Sequence, residues 1–174
     1  MARIPYADPN APDVKPLADR IIAERGSILH LYQMLLNSPP IAEGWLNFLT
    51  AVRQKGVLPG GLREMMIIRI ATLNNAPYEA DQHVPIALKL GVSEAQVKAL
   101  DAWQDSDLFS PRERAVLAYV DAMTRQIQVP PAVFAAVRAA FDDREIVEMT
   151  ATIGAYNMVS RFLEALEIHS HDPR

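Results

Sequence analysis

The chain of 174 residues contains no cysteine. That absence excludes disulfides, thiolate metal sites, iron–sulfur clusters and any thiol nucleophile or redox pair. An excess of positive charge is missing too. Lys and Arg number 17 against 21 Asp and Glu, a formal net charge of −4. With no basic cluster, neither nucleic acid nor an anionic membrane surface is expected as a partner. No apolar run approaches the ~18–20 residues of a membrane span. The first residues, MARIPYADPNAPDVKP, carry four prolines in place of a signal peptide's apolar stretch. The expectation is a soluble, cytoplasmic protein. There is no GxGxxG, Walker loop, HExxH or nucleophile elbow. Nothing offers a phosphate cradle, so no organic cofactor is expected.

What is present is ordinary globular composition, 50% hydrophobic and 22% charged, enough for a full core in a chain of this size. Pro5, Pro9, Pro12 and Pro16 each restrict φ and remove a donor. Residues 1–16 therefore read as an irregular arm, either a frayed tail or a segment packing on a neighbouring subunit. Residues 17–174 are expected to form one domain. No stretch alternates with period 2, whereas helical signals recur throughout, so the fold class is all-α, a compact bundle of about eight helices. Gly26 and Gly91 read as helix ends. Ser93-Glu94-Ala95-Gln96 and Ser110-Pro111-Arg112-Glu113 read as capping boxes. Ile41, Trp45, Phe48, Leu49 and Val52 share one helical face. The segment LREMMIIRIATLNN is apolar nearly all round and belongs at the centre of the core. Pro85 predicts a kink in the helix after it. A faint echo relates Arg63-Glu64…Ala71-Thr72 to Arg144-Glu145…Ala151-Thr152. Met65, Met66, Met149 and Met158 read as core filler.

One segment carries candidate chemistry. Glu79 and His83 are four apart and share a helix face. A carboxylate on one imidazole nitrogen fixes the tautomer and leaves the other nitrogen to move protons. Such pairs are also common on plain surface helices. Glu64 lies where five of the next six residues are apolar, so it is either at an exposed end or buried and paired. A metal would need a third ligand from Glu64 or Asp81, and none is expected. His30 reads as a packed histidine, and His169 and His171 as solvated ones.

The stretch LPGGLREMMIIRIATLNNAPYEADQHVPIALKLGVSEAQVKAL resembles the core motif of the carboxymuconolactone decarboxylase and AhpD-like alkylhydroperoxidase superfamily. The carriers are Arg63-Glu64 opening an apolar helix, Tyr78-Glu79, then His83, then a Gly-Val-Ser-Glu helix start. The family's thiol peroxidases have a Cys-x-x-Cys pair followed by a His, with a Glu upstream. Glu64 and His83 match the Glu and the His, while Ala76 and Glu79 stand where the cysteines would be. The resemblance therefore implies the cysteine-free, decarboxylase-like branch: an AhpD-like fold, a homo-oligomer such as a trimer or hexamer, and no cofactor. It implies a lyase acting on a small carboxylated or lactone metabolite, as in aromatic catabolism, with His83 as proton donor, Glu79 orienting it and Glu64 passing the proton. Tyr78, with Arg69 or Arg161 as the cation for the substrate carboxylate, completes the expected site. The other readings are a hydroperoxidase-family member without its cysteines and a non-catalytic oligomeric small-molecule binder.

Overall fold

The structure, a computed structural model, describes residues 1–173. Among these are nine α-helices, one 3-10 segment and no strand. The all-α class follows from the helix-period pattern. The chain forms two compact units, Met1–Gly56 with the residues from Leu163 on, and Val57–Phe162.

The first unit holds α1 (Lys15–Arg25), α2 (His30–Leu35) and α3 (Pro39–Gln54), with α3 packed against the other two. Gly26 ends α1 at φ 82°, a left-handed conformation that favours glycine. The buried stripe of α3 is Ala42, Trp45, Leu46 and Leu49, while Ile41 and Phe48 are exposed. The expected face is thus rotated by about one residue. Both stripes have i, i+3, i+4, i+7 spacing, and tertiary packing chooses between them. The N-terminal arm is irregular and hydrogen-bonds to residues of its own unit. The Arg3 amide donates to the Leu166 carbonyl at 2.9 Å, Ala7 N–H to Gln33 O at 3.2 Å, and the Tyr6 hydroxyl to Asp172 at 2.6 Å. His30 is packed as expected, with Nε2 3.0 Å from the Asp172 carbonyl and the Tyr6 ring beside it.

The second unit is built around α4 (Gly60–Leu73), which packs against α5 (Pro77–Lys89), the 3-10 segment Leu100–Asp105 and α7 (Pro111–Arg125). Met66, Ile67 and Ile70 are fully buried, the central position that an all-round apolar helix requires. A short turn joins α4 to α5, with Asn75 left-handed at φ 50° and the Ala76 amide donating to Ala71 O. Asparagine tolerates this conformation better than most residues. The turn is tight enough to lay α5 back along α4. α5 is continuous through Pro85 and closes before Gly91, φ 90°. Both capping boxes are formed, Ser93 with Gln96 at α6 (Glu94–Ala99) and Ser110 with Glu113 at α7. α8 (Pro131–Ala140) packs on α7, and α9 (Asp143–Leu166) supplies Met149 and Ile153 to the core. Met158 is 38% exposed, so it is not the core filler its composition suggested.

Candidate functional site

The second unit brings five polar side chains together from three helices. Glu64 comes from the early part of α4, Glu79 and His83 from α5, and Tyr156 and Ser160 from α9. All are buried, Glu64 completely. A carboxylate in that position needs partners, and two flank it. His83 Nδ1 lies 2.6 Å from Glu64 Oε2. Arg63 donates to Oε1 from Nε at 3.3 Å and from Nη2 at 3.2 Å. A carboxylate on Nδ1 places the ring hydrogen there and fixes the tautomer. The Tyr156 ring meets the imidazole edge-on, centroids 5.1 Å apart and planes at 86°. This edge-to-face contact helps to fix the ring plane.

The carboxylate partner of Nδ1 is thus Glu64, at the place where Glu79 was expected. The reason is geometric. Neighbours four apart on a helix lie one above the other, whereas the antiparallel neighbour α4 presents a carboxylate directly to the ring. Glu79 instead accepts a short hydrogen bond from the Ser160 hydroxyl. Tyr78 is buried on the same helix.

The two arginines proposed for the substrate carboxylate are placed differently from expectation. Arg69 is buried and committed. Nε and Nη2 form a fork on Asp121 at 2.7 and 2.8 Å, and Nη1 donates to the carbonyls of Leu100 and Asp101 at 2.9 and 2.8 Å. Four of its five N–H groups hold α4 to α7 and the 3-10 segment, so they are engaged within the protein. Arg161 is exposed and bonded to Asn157 of its own helix. Sequence reasoning overlooked Arg63, Ser160 and the ring contact of Tyr156. Among the described residues, no three His, Cys, Asp or Glu side chains converge as a metal site. No helix of the described residues is long and apolar enough to cross a membrane.

The family model for the carboxymuconolactone decarboxylase family matches residues 39–122. Residues 39–122 are thus a carboxymuconolactone decarboxylase family region. It holds Arg63, Glu64, Glu79 and His83, whereas Tyr156 and Ser160 lie beyond it. The uncharacterized protein YnjA of Escherichia coli is 32% identical over 130 residues, 72% of this chain and 66% of that protein. A solved protein of unknown function from Agrobacterium tumefaciens, a candidate antioxidant-defence protein AhpD, is 26% identical with a TM-score of 0.75. It covers 80% of this chain and 96% of its own. The debrominase Bmp8, solved with 2,3,4-tribromopyrrole, shares the fold at TM-score 0.83 and 18% identity, over 98% of this chain and 94% of its own. The fold is thus shared with an enzyme.

Proposed function

We propose that this chain is an acid–base enzyme, a cofactor-free decarboxylase-like lyase for a small carboxylated or lactone metabolite, with His83 as the proton-transfer group. The observation that carries the reading is the buried contact of 2.6 Å between His83 Nδ1 and Glu64 in a chain without cysteine. The peroxidase branch of the superfamily depends on thiols, and here the cysteine positions hold Ala76 and Glu79. The proton-handling residues are what remains.

Decarboxylation breaks the bond between the substrate carbon and its carboxylate, and the electron pair stays on that carbon as a carbanion or dienolate. Cationic His83 then gives its Nε2 proton to the carbon. Nδ1–H stays on Glu64, and the neutral ring regains a proton from solvent. Arg63 favours the charged form of Glu64, which in turn stabilises the imidazolium before transfer. Glu79, held by Ser160, and Tyr78 shape the surroundings of the ring.

The test is a screen of β-keto acids and carboxylated lactones that follows CO₂ release. With a substrate in hand, His83→Gln is expected to lower turnover by about a hundredfold or more at an unchanged unfolding midpoint. Glu64→Gln should cost more than Glu79→Gln, because Glu64 holds Nδ1. Full activity in His83→Gln overturns the assignment. Saturable binding with no turnover across the screen favours the non-catalytic binder instead.

A further inference from the structure

We infer that Arg63 is the anchor for a carboxylate group of the substrate, an inference that rests on the acid–base reading of His83 above. A guanidinium has five N–H donors. Arg63 uses Nε and one hydrogen of Nη2 on Glu64 Oε1. Nη1 donates to no acceptor among the described residues, and neither does the second hydrogen of Nη2. Yet the side chain is only 15% exposed. A cation so largely withdrawn from solvent, with spare donors, calls for an acceptor from outside the protein. The two alternatives differ in placement: Arg69 spends four of its five N–H groups on Asp121 and two carbonyls inside the core, and Arg161 is exposed.

Position adds to the argument. Arg63 and His83 bind the two oxygens of one carboxylate, so cation and imidazole flank Glu64 within the length of a small molecule. Arg63's free donors present the planar, paired geometry that matches a carboxylate. A substrate with one carboxylate on Arg63 would lay its reacting carbon toward His83. Glu64 keeps both groups in register. The chemical class is therefore a small carboxylic acid whose retained carboxylate is bound by Arg63, distinct from the group lost as CO₂. A substrate with at least two carboxylates meets that requirement.

The experiment reads the His83 resonances of the full chain labelled with ¹⁵N-histidine, assigned through His83→Gln. The probes are succinate, benzoate and, as neutral control, benzamide. In the wild type, the carboxylates should shift the His83 signals saturably, with benzamide about tenfold weaker or more, the worth of a charge-assisted bond. Arg63→Gln should weaken carboxylate binding about tenfold or more and erase the preference over benzamide. Arg63→Lys, which keeps the charge but loses the fork, should fall between and guards against a glutamine variant that does not fold. Unchanged carboxylate affinity in both folded variants overturns the proposal, as does a wild type that shows no preference for carboxylates. The failures are separable. Activity dependent on His83 without carboxylate capture by Arg63 removes only the anchor. Capture by Arg63 with His83→Gln fully active removes only the acid–base reading.

Discussion

Removing the carboxylate from the buried Arg69–Asp121 pair tests the structural role given to Arg69. Asp121 accepts the fork from Arg69 at 2.7 and 2.8 Å, and it lies 3.4 Å from Trp103 Nε1 and 3.2 Å from Gln104 Nε2. Asp121→Ala leaves a guanidinium, 2% exposed, without its counter-charge, and an indole and an amide without that acceptor. Two charge-assisted bonds at about 1.5–3 kcal/mol each, or the general cost of breaking one side of a buried pair at about 3–5 kcal/mol, point to the same range. With a urea slope of about 2 kcal/mol/M, the unfolding midpoint should fall by about 1.5–2.5 M. Asp121→Asn keeps one acceptor oxygen and should lose less. Arg69→Met combined with Asp121→Leu should recover most of the loss, because an apolar pair leaves no buried charge behind. A fall below about 1 kcal/mol for Asp121→Ala at an unchanged slope would refute the argument.

Three other outcomes follow from the same geometry. Ser110→Ala removes the cap that accepts from the Glu113 amide at 3.3 Å and should cost about 1 kcal/mol in urea unfolding, with Ser110→Asp close to neutral. The Tyr6 hydroxyl holds the Asp172 carboxyl below its ordinary range, opposed by burial and helped by the His169 amide, the N-terminal charge and His169. A depressed carboxylate contributes stability that is complete above the unfolded value of about 3.9 and is lost as pH falls through the lower folded value. The stability gap between wild type and Tyr6→Phe should therefore narrow from pH 6 toward pH 2.5, and a constant gap refutes it. Light scattering at micromolar concentration should give a trimer or larger, and a monomer of 19.3 kDa would end that expectation.

The fold was legible where a local signal had one structural solution. The serines at 93 and 110 each precede a residue able to complete a capping box, and both boxes form. Gly26 and Gly91 take the positive φ their positions called for. α4 is apolar all round, and only a central site satisfies that pattern. Legibility failed where two answers had equal local merit. α3 carries two overlapping apolar stripes, and its neighbours, not its periodicity, bury Ala42 and Leu46 and leave Ile41 and Phe48 outside. Leu163, near the C-terminus, is completely buried within its own chain. An apolar residue near a terminus carries no local mark of which surface covers it.

At the site, the same limit applies with one instructive exception. The Glu79–Ser160 bond joins residues 81 apart and the Glu64–His83 bond joins residues 19 apart. The second was within reach, because a three-residue turn between two helices forces them to lie side by side. The first depends on where α9 returns, and no spacing in the sequence encodes that. The choice among arginines was decidable from helix geometry alone. At about 100° per residue, Arg69 lies about 140° around α4 from Glu64, on nearly the opposite side. A side chain so placed cannot join Glu64 in one site, and it reaches Asp121 on α7 instead. Arg63 is only about 100° from Glu64, and its long, flexible stem folds back to bond the carboxylate beside it. Helical register thus separates the tie that holds the core from the cation that stands beside the reactive imidazole. A sequence in which the arginine at 63 were replaced and the one at 69 kept should fold through the same Asp121 fork while losing its carboxylate anchor.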